Sequence, residues 1–94
     1  MKNKLNPVHP GEILKEELRE RGLSATALAQ SLDLPVHLIT SILSKQTQIT
    51  LETAILLSQF FHTSPHFWLN LQESWRIRQA ENRLNLSRSI DFDL

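Results

Sequence analysis

The chain has 94 residues, 40% of them hydrophobic and 6% aromatic, with ten Lys and Arg against ten Asp and Glu and no cysteine. That length suits one small domain. Without Cys there is no disulfide framework, thiolate metal site or thiol nucleophile, so stability falls to apolar packing, alone or with dimerisation. The zero formal charge lacks the basic excess that marks many nucleic-acid-binding chains. Residues 1–50 carry six basic and five acidic groups, and residues 51–94 carry four and five, so neither half is strongly charged. A nucleic-acid reading has to come from pattern. No apolar run approaches the roughly 18 residues of a membrane span. Lys2 and Lys4 are not followed by an apolar stretch, so no secretory signal is expected and a cytoplasmic location is.

In chain order, residues 1–7 read as an N-terminal arm. Pro10-Gly11 opens a first helix over about 11–21, with Ile13, Leu14 and Leu18 on one side and Gly22 as its stop. Ser24 is an N-cap for a second helix through Leu32, striped by Leu28, Ala29 and Leu32. Pro35, at a first helical position, predicts a third helix through about Ser44, with Val36, Ile39, Ile42 and Leu43 at helical spacing. Thr50 caps a mostly apolar fourth helix that includes Leu51, Ala54, Leu57, Phe60 and Phe61. Glu52 sits in its first turn, at the positive end of the dipole. Ser64-Pro65 starts a fifth helix carrying Phe67, Trp68, Leu71, Trp75 and Ile77 through about Ala80. In residues 81–94, Leu84, Leu86, Ile90, Phe92 and Leu94 alternate with polar residues, which fits either a short strand or a disordered tail. The fold class is all-α, with five short helices and a C-terminal extension.

Ala25 to Leu43 has the form of a helix-turn-helix. Two short helices crossing steeply need a small residue at the contact, and Ala29 supplies it. Asp33 can take the left-handed turn conformation, although Gly would be better. Ile39 and Ile42 hold the second helix while Val36, His37, Thr40 and Ser41 stay free, followed by Lys45, Gln46 and Thr47. Such small, polar side chains suit base edges in a major groove. Periodicity alone also fits an ordinary αα-corner in a bundle.

The segment His9-Pro10-Gly11-Glu12-Ile13-Leu14 resembles the opening of the HigA family of antitoxins, helix-turn-helix proteins of the XRE, or lambda-repressor-like, type. Ser64-Pro65-His66-Phe67-Trp68-Leu69-Asn70-Leu71-Gln72 resembles the family's second signature. The resemblance covers residues 8–80, which define the helix-turn-helix domain, and leaves 81–94 as a tail. It implies a homodimer on double-stranded operator DNA that represses its own toxin–antitoxin operon. It also implies neutralisation of a HigB-type toxin, a small basic ribonuclease that cleaves messenger RNA. No catalysis and no cofactor are implied.

On this basis His37, Thr40 and Ser41 are the candidates for base contact, with Val36 beside them. Ser24, Lys45, Gln46 and Thr47 are candidates for holding phosphates. The sequence departs from the family in three places. Ala25 stands where Gln is usual, Val36-His37-Leu38 where arginines are usual, and Ser44-Lys45-Gln46-Thr47 where Asn-Gly followed by a basic residue is usual. Lys45 is the only Lys or Arg between Gly22 and Trp75, so weak DNA binding with a shallow salt dependence is expected.

The remaining features have plainer readings. His62 and His66 have a metal-binding spacing, but Ser64-Pro65 breaks the helix between them, so no metal site is expected. Glu16, Glu17 and Glu20 among Lys15, Arg19 and Arg21 read as a solvated, ion-paired face. So do Arg76, Arg78, Arg83 and Arg88 among acidic residues. Phe67, Trp68, Leu71 and Trp75 are mostly core by default, but two tryptophans on one late helix exceed what so small a domain needs, so these four are candidates for a dimer interface. Two other functions remain open, a stand-alone repressor and a protein-interaction module with weakened DNA binding.

Overall fold

The structure, a computed structural model, describes residues 7–84. Residues 1–6 of the arm expected at 1–7, and residues 85–94 of the tail expected at 81–94, lie outside the described residues. Five helices follow in order: α1 Pro10–Arg21, α2 Ala25–Leu32, α3 Val36–Leu43, α4 Leu51–Phe61 and α5 Pro65–Leu84. The described residues contain no strand.

Local chemistry sets most of the boundaries. The oxygens of Ser24, Thr50 and Ser64 accept the N–H groups of Ala27, Thr53 and Phe67 at 3.0, 3.2 and 3.1 Å. Each bond satisfies one of the donors left open at a helix start. Gly22, Asp33 and His62 end α1, α2 and α4 in the left-handed conformation, at φ 62, 58 and 61°. Around Asp33 the bonds from Asp33 N to Gln30 O and from Leu34 N to Ala29 O close the turn between α2 and α3.

Three expectations shift. Helix α1 begins at Pro10, because the ring nitrogen of His9, Nδ1, accepts the Gly11 N–H at 2.9 Å and acts as the cap. Pro35 is the N-cap of α3 rather than its first residue, and it offers no side-chain cap. Helix α5 continues to Leu84 instead of stopping near Ala80, so residues 81–84 are helical. No Gly or Pro stops it there, and Arg78 pairs with Glu81 one turn on.

Helix α4 packs on α5, α2 on α3, and α1 spans α3 and α5. The core holds Leu14 and Leu18 of α1, Leu28, Ala29 and Leu32 of α2, and Ile39 and Ile42 of α3. Ile49, Ala54, Leu57, Phe61 and Trp68 complete it. Each large apolar side chain so buried contributes about 1.5–3 kcal/mol. Trp68 is 0% exposed, so among the four interface candidates it is a core residue with no surface to offer a second copy. Its indole N–H donates to the Thr63 hydroxyl at 2.8 Å. Phe67 remains 40% exposed, and Leu71 and Trp75 are half-buried.

The expected ion-paired face on α1 is present, with Arg19 on Glu16 and Arg21 on Glu17. Arg21 also lies over the Phe61 ring, 4.9 Å from its centroid. On α5, Arg76 pairs with Glu73 at 3.0 Å.

Candidate nucleic-acid interface

Helix α3 turns Ile39 and Ile42 inward, both 0% exposed, and leaves Val36, His37 and Thr40 open on its outer side. Thr40 lies one turn beyond Val36, so the two share a face. The Thr40 hydroxyl donates to the His37 carbonyl at 3.1 Å. Ser41 is half-buried and sits at the edge of this face, its carbonyl accepting the Ser44 hydroxyl and the Gln46 N–H. Ser24, capping α2, is exposed, with its oxygen engaged by Ala27.

The segment after α3 is held tightly. Lys45 adopts φ 66°, the left-handed conformation, and its N–H reaches the Ile42 carbonyl. A residue with a Cβ adopts this conformation at a cost of roughly 1–2 kcal/mol. The Lys45 ammonium pairs with Glu12 in the first turn of α1. Both side chains are nearly half exposed, so the pair contributes little to stability. The Lys45 ammonium also holds the Glu12 carboxyl below its usual pKa, by hydrogen bond first and by charge second. Gln46 is exposed, whereas Thr47 is half-buried and lines a cleft of about 190 Å³ with His9, Gln72 and Trp75.

Gln72 of α5 fixes this segment from the other side. Its Oε1 accepts the Ile49 N–H at 2.6 Å and its Nε2 donates to the Ile49 carbonyl at 2.9 Å. Both residues are buried. The side chain thus satisfies a backbone donor and acceptor that water cannot reach. A second tie is Gly11, where an added Cβ would lie 2.2 Å from the Ile42 carbonyl oxygen. Helix α1 therefore touches the end of α3 backbone to backbone. Neither tie is assigned by residue pattern, although both residues stand inside the two signatures. A buried-pattern Gln and a Gly in a first helical turn were the available signals.

His9 completes the support. It is 4% exposed and its ring meets Trp75 edge-on, with centroids 4.7 Å apart. Burial lowers its pKa from the ordinary 6.5, the Lys45 charge lowers it further, and Glu12 opposes them. The neutral ring is therefore favoured in the folded state, and only the neutral ring can accept the Gly11 N–H. The stability this provides is complete above the unfolded pKa of about 6.5 and is lost as pH falls through the depressed folded value. Unfolding titrations between pH 8 and pH 5 should show this loss. His9→Asn, which caps without titrating, should flatten that part of the profile.

His62 and His66 are both exposed, one ending α4 and the other in the first turn of α5. Among the described residues no group of three or more His, Cys, Asp or Glu is placed to hold a metal. No helix of the described residues is long and apolar enough to cross a membrane.

Two short helices joined through a left-handed residue, with the second open on one polar face, define a helix-turn-helix protein. Residues 14–68 match the helix-turn-helix family. Virulence-associated protein I of Dichelobacter nodosus is 42% identical over 81 residues, covering 85% of this chain and 75% of that protein. An addiction module antidote protein of the HigA family from Coxiella burnetii superposes with a TM-score of 0.80 at 42% identity, covering 94% of this chain and 95% of that one. The Pseudomonas aeruginosa antitoxin HigA, solved with the higBA promoter, gives 0.79 at 34% identity, with 95% and 96% covered. The chain belongs to the HigA family of helix-turn-helix proteins. It is a regulator of antitoxin type, not an enzyme.

Proposed function

We propose that this protein is an antitoxin that binds operator DNA as a homodimer, represses its own operon and neutralises a HigB-type toxin. The observation that carries the reading is the open outer face of α3. Val36, His37 and Thr40 are exposed there although α3 is otherwise anchored by α1 and α2. The HigA relative solved with the higBA promoter supports operator binding. His37 and Thr40 contact bases, and Ser24, Lys45 and Gln46 hold the backbone. Two such faces on a two-fold dimer lie about 34 Å apart, one turn of DNA. Phe67, Leu71 and Trp75 of α5 are the side chains assigned to that dimer.

Lys45 is the only Lys or Arg between Gly22 and Trp75, so few phosphates are neutralised by side chains. Helix N-termini and backbone N–H groups supply the rest without releasing counterions in the same way. The slope of log affinity against log salt is expected to be no steeper than about −3 for the dimer. A titration between low and moderate salt measures it, and a slope of about −6 or steeper would contradict this reading.

The toxin arm predicts a short basic reading frame beside the gene and is tested by co-expressing that frame with this chain. Growth arrest from that frame alone, relieved by this chain, supports the antitoxin reading. A frame that leaves growth unaffected removes the toxin arm and leaves a stand-alone repressor.

A further inference from the structure

The sequence of α3, Val36 to Leu43, contains no Lys, Arg, Asn or Gln. Those are the side chains that make paired hydrogen bonds to guanine or adenine edges in the major groove. A methyl-bearing pair stands on the open face instead. Val36, the first residue of the helix, is 43% exposed, so a substantial part of its apolar surface is left uncovered by the fold. A β-branched side chain in a helix keeps essentially one χ1 rotamer, so its two methyl groups are held in place. Thr40 lies one turn on, and its hydroxyl proton is engaged by the His37 carbonyl. What Thr40 retains for a ligand is its methyl group and an acceptor lone pair. The base feature in a major groove that apolar atoms recognise is the 5-methyl group of thymine.

We infer that Val36 and Thr40 form a methyl-reading pair that recognises thymine 5-methyl groups, with Val36 as a specificity-determining residue. Thymines, rather than guanines, then face the first turn of α3. This rests on the operator reading proposed above and names the base chemistry it uses. Val36 is solvent-exposed, so shortening it changes recognition without opening a cavity.

The test compares two forms of the DNA upstream of the gene, one amplified with thymidine triphosphate and one with deoxyuridine triphosphate. Uracil pairs as thymine does and lacks only the methyl group. The full-length protein is expected to bind the uracil duplex about tenfold more weakly, the effect of losing roughly two methyl contacts. Val36→Ala, which keeps the Thr40 methyl group, is expected to bind the thymine duplex more weakly, to show a clearly smaller uracil penalty than the wild type, and to melt at the wild-type temperature. Equal wild-type affinity for the two duplexes would overturn the inference. An equal loss in wild type and Val36→Ala would also overturn it, because the effect would then belong to DNA shape. If the wild type binds the thymine duplex no better than unrelated DNA of the same length, the operator reading fails and the inference fails with it.

Discussion

Gln72→Ala is expected to lower the unfolding free energy by about 3 kcal/mol. In a domain of this size that corresponds to a fall of roughly 15 °C in melting temperature. The substitution strands the Ile49 N–H and carbonyl, which Gln72 meets at 2.6 and 2.9 Å. Ile49 is only 3% exposed, so water does not replace the lost partners. Each buried group left unpaired costs about 1–3 kcal/mol. Gln72→Met keeps most of the volume and removes only the hydrogen bonds, so it should lose nearly as much. Thermal melts of both variants separate the two contributions. A Met variant as stable as the wild type would mean that packing, not the paired bonds, holds the loop to α5. The loss should reach function too, because Ile49 ends the segment that carries Lys45 and Gln46 out of α3.

Gly11→Ala should cost about 2–4 kcal/mol, far more than the same change at the chain's other glycine. At Gly11 the new Cβ would meet the Ile42 carbonyl oxygen at 2.2 Å and His9 Nδ1 at 3.1 Å. The first of these is backbone, so no flexible side chain can move aside, and α1 has to shift off α3. At Gly22 a Cβ meets nothing within 4 Å, and the φ of 62° imposes only local strain. Gly22→Ala should therefore cost about 1–2 kcal/mol. Denaturant titrations of the two variants provide the comparison. Equal losses would mean that α1 and α3 do not approach as closely as the structure places them. The Gly11 change displaces the end of α3, so it should also weaken DNA binding by more than its effect on the folded fraction.

The helix starts were legible because Ser24, Thr50 and Ser64 cap through their own side chains, a relation confined to three or four residues. The turn of the helix-turn-helix was legible for the same reason, through Ala29 and Asp33. The αL conformation of Lys45 was harder to read than those of Asp33 and His62, because lysine is not among the residue types enriched at positive φ. Pro35 fitted either side of a helix start, which moved α3 by one residue. Helix α5 runs past Ala80 because Glu81, Arg83 and Leu84 are good helix formers, although the apolar alternation that begins at Leu84 reads as a strand or a tail. Long-range ties left no trace in periodicity. Gln72 and Ile49 are 23 positions apart, Glu12 and Lys45 meet across two helices, and His9 meets Trp75 from the opposite end of the domain. The same limit applied to the tryptophans. Trp68 and Trp75 look alike in sequence, and only the placement of Phe61 and Thr63 makes the first a core residue and leaves the second half open.

The zero net charge has its local counterpart at α3, where hydroxyl, imidazole and methyl groups stand in place of cations. Recognition through that face is the central claim, and it is tested most directly by titrating the protein with the DNA upstream of its gene, beside a His37→Ala/Thr40→Ala double variant. Both side chains are exposed, so the variant should melt as the wild type does. The wild type should bind the upstream DNA well above unrelated DNA, and the variant, which keeps only Val36 on that face, should discriminate far less. A variant that still discriminates between the two as the wild type does would contradict the assignment of α3 as the reading element.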